Sequence, residues 1–356
     1  INGQCRLIQV SAEVTPSTNP SSGRIDGVYV DGLDTIEDGD CIHIQSNSLL
    51  DMPLLINNVV AKNCAKRAVK VQANGVRVEN VHHDTSGLSE ASFSAVSIYG
   101  DNNKALNIST VGKTQVGVDT QGVGNSVDHV SNDIDSAHTI PDSSSVEITK
   151  GSAIVNNISS FNTQRIFKVR PQNGSIESVI ATGIYGTSFG PSIYCSTKFD
   201  NAYNITKVIV SNAHCETTGT SPGADLNIET GSTGVFSAAE IRDSSFTCGG
   251  GFTGVRIISI GAALVESVSA DGATSEAVLV RNMNEVSLSD VSSKTSGCES
   301  VVNLDNCTKT TVITTRAAGA RGVTVNGGDN NIVDGVYVPL ASSAVVESGG
   351  ATNVQK

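Results

Sequence analysis

GVRIISI from Gly254, AVLVRNM from Ala277, SVVNLDN from Ser300, GVTVNGG from Gly322 and AVVESGG from Ala344 are five versions of one short apolar alternation. Their starts lie 23, 23, 22 and 22 residues apart. Between them runs a second series: LVESVSADG from Leu264, EVSLSDVSS from Glu285, TVITTRAAG from Thr311 and IVDGVYVPL from Ile332. Period-2 alternation over so few residues marks a strand. A fixed period marks a repeat architecture. A unit this short cannot bury its own apolar stripe. Stacking successive units at ~4.8 Å pairs each backbone with the next and encloses the Val and Ile stripe.

The same pair of strands can be followed toward the start. The first series reads CIHIQ at 41, AVKVQ at 68, AVSIYG at 95, QVGVDTQ at 115, SVEITKG at 145, FKVRP at 167, SIYCS at 192 and DLNIE at 225. The second includes LLINNVVAKNC from 54, GVRVENVHHD from 75, AIVNNISSF from 153 and NITKVIVSNAHC from 204. About thirteen coils are expected from this count. The expected fold is all-β: a single-stranded, right-handed parallel β-helix over residues 1–356, read as one domain. Its coils are wider and looped over about 24–253 and regular over about 254–350. A leucine-rich repeat of this period needs a fixed Leu and Asn signature, and none is present. A β-sandwich would not repeat with matching strand phase.

Composition agrees. Of 356 residues, 35 are Gly, none is Trp, and 16% are charged, while the hydrophobic share is 38%. Many short strands and many turns fit these values, and disorder does not. The net charge of −12 repels phosphate backbones and anionic lipid, so neither nucleic acid nor a membrane is an expected partner. No apolar run approaches membrane-spanning length. Opening on Ile1 without Met, the chain is expected to be a processed or trimmed product. The 8 Cys show no CxxC spacing and no clustering with His, which argues against zinc. Cys41, Cys64 and Cys195 fall at apolar strand positions and are expected to be buried free thiols. No metal or other cofactor is expected.

Alternation assigns faces. With Ile42 and Ile44 inward, His43 points out; with Val69 and Val71 inward, so does Lys70. The same logic sends Ser97, Gly117, Glu147, Lys168, Tyr194, Asn227, Arg256, Leu279, Asn303 and Thr324 outward in one row, with Arg170 beside Lys168. Glu147, Lys168, Tyr194, Asn227 and Arg256 then form a ladder suited to a linear sugar chain. Cations would face its carboxylates or hydroxyls, and a carboxylate would move protons. The competing reading is a solvated sheet face with cross-strand ion pairs. Glu37, Asp38 and Asp40 crowd one corner, where neighbouring carboxylates raise one another's pKa. The alternative there is a Gly-Asp turn. His82, His83 and Asp84 end one strand, and one of the histidines is a candidate base or a plain polar corner. His129, Asp133, Asp135, His138 and Asp142 share an insertion without any metal-ligand spacing.

With these rows in place, the chain resembles the pectate-lyase-like β-helix superfamily along nearly its whole length. GDCIHIQS at 39–46 is similar to the polygalacturonase motif of two aspartates before Cys-Ile, although only Asp40 falls in place. KVRPQNGSIESVIATGI from Lys168 resembles that family's Arg-x-Lys strand with the charges exchanged into Lys168 and Arg170. The family's Gly-His-Gly and Asn-Thr-Asp are missing. The thin, Ser- and Asn-rich coils resemble viral tailspike depolymerases more closely. That resemblance implies a parallel homotrimer, located outside the cell or on a virion, that cleaves surface polysaccharide.

The expected function is therefore a glycoside-hydrolase-type polysaccharide depolymerase. Its catalytic candidates are Asp38, Asp40, Glu147 and Lys168. Its substrate-binding candidates are His43, Lys70, Arg170, Tyr194, Asn227 and Arg256. Two alternatives stand beside it. One is a lyase using Lys168 or Lys70 as base with Arg170 on a uronate. The other is a non-catalytic adhesin or structural solenoid.

Overall fold

A computed structural model describes residues 7–12, 22–32, 39–46, 51, 53–135, 140–197, 202–251, 253–295, 297–317, 321–337, 343–348 and 354–355. Every regular element among them is a β-strand, and the paired strands run parallel. The result is a parallel β-solenoid of about 11 turns. That is fewer than the sequence count of about thirteen. Terminal strands such as Ile8–Ala12 and Val354–Gln355 each pair with a single described neighbour. The chain divides into two compact units, Ile1–Lys168 and Val169–Lys356.

In the first unit, one strand series runs through Asp40–Ser46, Arg67–Gln72 and Ser92–Ile98. It continues in the opening halves of the long strands Thr114–Ile134 and Ser144–Thr163. The register puts Ile42, Val69, Val96, Val118 and Val146 in one row. Each of these is fully buried. Full burial of one such side chain is worth roughly 1.5–3 kcal/mol, so a short strand is held mainly by its two or three inward residues. The second series, including Leu54–Lys62, Arg77–Asp84 and Lys104–Gly112, supplies Val59, Val81, Ile108, Val130 and Ile158 to the same interior.

The second unit repeats the plan. Its first series includes Ile193–Thr197, Ala224–Ile228, Thr253–Ile258 and Glu276–Arg281. Its second includes Ile176–Ser188, Ile205–Thr217, Phe236–Cys248, Ala262–Asp271 and Val286–Ser293. The two series of one coil approach closely where the side chain is small. A Cβ added at Gly254 would come within 2.4 Å of the Ala270 Cβ.

Second-series strands bend at left-handed residues. In the first unit these include Asn58, Asn80, Asn107, His129 and Asn157, with φ between +52° and +55°. In the second they include Asn212, Asp243, Ser267 and Asp290. An L-residue in this region costs roughly 1–2 kcal/mol, least for Asn and Asp, whose side chains can hydrogen-bond locally. Here the carboxamides bond from coil to coil: Asn80 Nδ2 donates to Asn57 Oδ1 at 2.8 Å and Asn107 Nδ2 to Asn80 Oδ1 at 3.0 Å.

The cysteine expectation needs correcting. Cys41 and Cys64 are joined as a disulfide, because two strand ends that look independent in sequence are brought together by coiling. Cys195, Cys215, Cys248, Cys298 and Cys307 are buried thiols. Burial pushes Cys215 up to about 12 and Cys195 further, so neither is a nucleophile.

Candidate functional site

The outward row of the first unit runs His43, Lys70, Ser97, Asp119, Glu147. Three residues earlier on each strand lies a second set, including Asp40, Arg67 and Ser94. It reaches the same face: Ser94 Oγ is 2.7 Å from Ser97 Oγ, and Arg67 Nε donates to Ser97 Oγ at 3.0 Å. The two sets interlock as one charged cluster, and most of it is buried.

Arg67 joins its parts. Nη1 donates to Asp40 Oδ1 at 3.0 Å, Nη2 reaches the Tyr99 hydroxyl at 3.4 Å, and the guanidinium lies 4.6 Å from the Phe93 ring centroid. Asp40 Oδ2 has Lys70 Nζ and His43 Nδ1 each at 3.9 Å. His43 Nε2 is 2.7 Å from Gln72 Oε1. At the other end, Lys168 Nζ lies 2.9 Å from Glu147 Oε1 and 2.8 Å from Asp142 Oδ2, and Asp142 also pairs with Arg165.

Between these ends sits Asp119, 3% exposed. Burial, then the charge of Glu147, pushes its pKa up to about 7. A hydrogen bond from Tyr99 and the charges of Arg67 and Lys168 pull the other way without cancelling that rise. Its Oδ1 has no hydrogen-bond partner among the described residues. Two carboxyls on neighbouring strands thus differ in environment. Asp119 keeps a proton near neutral pH, whereas Glu147 is ion-paired to an ammonium. The Glu147 and Lys70 side chains, 9% and 16% exposed, carry the edge of the cluster to solvent.

Asp119 takes the place that alternation gave to Gly117. A Cβ on Gly117 would lie 3.1 Å from the Val130 side chain, so that position faces the interior. In the second unit the slip runs the other way: Tyr194, Asp225 and Arg256 share a row, and Asn227 lies one pleat further along. A pattern in the sequence finds both carboxylates. The inward Val or its equivalent follows a small or apolar inward residue, as in Ala68-Val69-Lys70, Ala95-Val96-Ser97 and Ser145-Val146-Glu147. Gly117-Val118-Asp119 and Gly223-Ala224-Asp225 fit it, whereas a Val-x-Val reading does not.

Other candidates are spoken for. Arg256 grips Asp225 through Nε at 3.0 Å and Nη2 at 2.5 Å, and Asn227 Nδ2 donates to the same carboxylate at 2.8 Å. Arg170 Nη2 donates to Glu229 Oε2 at 2.8 Å. His83 is fully buried against the Cys64 carbonyl at 3.2 Å. That burial lowers its pKa to about 4, so it is a core histidine. His82 Nδ1 lies 2.9 Å from Ser109 Oγ. His129 occupies a strand bend and pairs with Asp128 at 2.8 Å. No group of three His, Cys, Asp or Glu that could hold a metal occurs among the described residues. Glu37, Asp38 and His138 lie outside them.

Compared with family models, curated proteins and solved structures, the chain matches none.

Proposed function

We propose that the chain is a polysaccharide depolymerase of the glycoside-hydrolase type, with Asp119 as proton donor and Glu147, paired to Lys168, as nucleophile. The observation that carries this reading is the carboxyl pair on adjacent strands, one pushed by burial up to about 7 and one held by Lys168. Cleavage of a glycosidic bond needs that division of labour: an acid to protonate the leaving oxygen and a carboxylate to meet the developing cation.

Asp119 delivers its proton to the bridging oxygen as the bond to the anomeric carbon breaks. Glu147 attacks that carbon. Water then releases the sugar, with Asp119, now ionised, taking the proton from the water. Adjacent strands lie ~4.8 Å apart. Retaining enzymes hold their carboxyls about 5–5.5 Å apart, and side chains on directly paired neighbouring strands are placed for that geometry, so retention of anomeric configuration is part of the proposal. Lys168 holds the Glu147 carboxylate in place at 2.9 Å, and Arg67 anchors Tyr99 against Asp119. Asp40 is a positioning residue in this scheme, since its carboxylate is engaged by Arg67.

A lyase fits less well. Lys168 Nζ is engaged by two carboxylates, and Arg170 is engaged by Glu229, which leaves neither turned to a uronate. The extracellular or virion setting and the homotrimer belong to the proposal as what the tailspike resemblance implies. A panel of neutral and acidic polysaccharides, read by new reducing ends, tests it. Cleavage by the wild type, with a loss of at least about 1000-fold in Asp119→Asn and Glu147→Gln variants that keep their far-UV spectrum, is expected. Products carrying an unsaturated sugar, or full activity in both variants, would refute it.

A further inference from the structure

We infer that a shallow groove on the second strand series of the Val169–Lys356 unit is a binding site for an uncharged glycan. The inference does not rest on the carboxyl pair, which belongs to the other unit.

The groove encloses about 250 Å³ and is lined by His214, Asp243, Ser245, Ser269, Asp290 and Ser292, among others. That volume is below a drug-sized pocket and suits one or two sugar rings. Through it runs a row in strict register, His214, Ser245, Ser269 and Ser292, which Tyr185 continues on the His214 side. Consecutive members are ~4.8 Å apart, close to the advance of one pyranose along an extended glycan.

One end of this row is a rigid aromatic shoulder. The Tyr185 and His214 rings are stacked, with centroids 5.7 Å apart and planes 29° from parallel. Both residues are exposed. His214 Nδ1 lies 2.7 Å from Ser245 Oγ and Nε2 lies 3.1 Å from Asn212 Oδ1. Asn212 Nδ2 donates to the Tyr185 hydroxyl at 2.9 Å. Four side chains therefore fix one another before any ligand arrives, which lowers the ordering cost of binding. A stacked pair at solvent offers a π face to the C–H face of a sugar ring.

The rest of the groove is built for hydroxyls. Serines both donate and accept, and carboxylates accept. Asp243 and Asp290 sit at left-handed bends, with φ of +47° and +50°, and stand on the rim. They accept hydroxyl protons and repel a uronate or sulfate. Val268, the apolar residue among those lining the groove, is buried, so the groove offers no pocket for a hydrophobic peptide anchor.

The test is titration of the intact chain with neutral hexasaccharides of gluco, manno, galacto and xylo configuration and with hexagalacturonate, by calorimetry. The sugars are checked afterwards for cleavage, so turnover and binding are read separately. At least one neutral sugar is expected to bind, with affinity reduced about tenfold or more by Tyr185→Ala and by Ser269→Trp, which fills the groove. Hexagalacturonate is expected not to bind this groove: any binding of it should be unchanged in both variants. Tyr185 is exposed, so its replacement leaves the fold intact and decides the matter if Ser269→Trp unfolds. No binding by any neutral sugar, unaltered affinity in Tyr185→Ala, or tighter binding of hexagalacturonate that these variants abolish would overturn the inference.

Discussion

Replacing Asp119 by Asn should remove one proton-linked term from the stability of the chain. The Asp119 carboxyl, whose ordinary pKa is 3.8, is pushed up to about 7 in the fold. Below pH 4 it is protonated whether folded or unfolded and costs nothing. As pH rises, the unfolded chain ionises first, so folding must retain a proton that water would take. The stability present below about 3.8 is lost as pH passes up through about 7. A displacement of about 3 units at 1.36 kcal/mol each makes the loss up to about 4 kcal/mol. Asn is neutral at every pH, nearly isosteric, and still able to accept from Tyr99. The variant should therefore match the wild type near pH 4 and exceed it increasingly toward pH 8. The assay is denaturant unfolding followed by far-UV circular dichroism, since the chain contains no Trp. Repeat proteins unfold in broad transitions, so the quantity to compare is the difference between the two proteins at each pH. Parallel pH dependences in the two proteins would refute the reasoning.

Other perturbations follow from the same network. Arg67→Ala removes the guanidinium from Asp40, which is fully buried, and should destabilise by about 3–5 kcal/mol in thermal or chemical unfolding. The His83 side chain has its pKa lowered to about 4 from 6.5. A depressed base is lost to protonation in the unfolded chain first, so it should cost up to about 3 kcal/mol of stability as pH falls from about 6.5 to about 4. A His83→Gln variant should lack that segment of the pH profile. Asn107→Ala keeps the Cβ at φ +55° but loses the side-chain bond to Asn80 that makes this conformation tolerable, for a cost of about 1–2 kcal/mol in chemical unfolding, whereas Asn107→Gly, which removes the Cβ, should cost less.

The solenoid was legible because its signal is repeated: an inward Val or Ile recurs in phase at every coil, and one misread coil does not disturb the rest. The site was less legible, because it depends on register to a single pleat. In GVDT the third inward place is held by Thr120, where neighbouring coils have Ile98 and Ile148, so the apolar pair Val116 and Val118 draws the eye one pleat too early. That shift hid Asp119 behind Gly117, and a shift one pleat too late hid Asp225 behind Asn227. Glu147, Lys168, His43 and Lys70 were found because their coils keep apolar residues on both sides of the outward one. Arg67 and Tyr99 went unnoticed because they open and close their strands, where alternation says nothing about facing. Alternation also cannot foresee that an outward row becomes buried: Phe93, near the start of its strand, covers Arg67, and Asp142, from a connecting segment, reaches Lys168. The disulfide between Cys41 and Cys64 had no sequence signature, since it follows from how the coil closes.

The central claim is that one carboxyl of the Asp119–Glu147 pair holds its proton near neutral pH. Carbon-13 NMR of chains labelled at aspartate side-chain carboxyls, titrated from about pH 3 to about pH 9, measures this directly. The account requires one resonance, absent from Asp119→Asn, to titrate with a midpoint near 7. A resonance assigned to Asp119 that titrates in the ordinary aspartate range near 4 would contradict it.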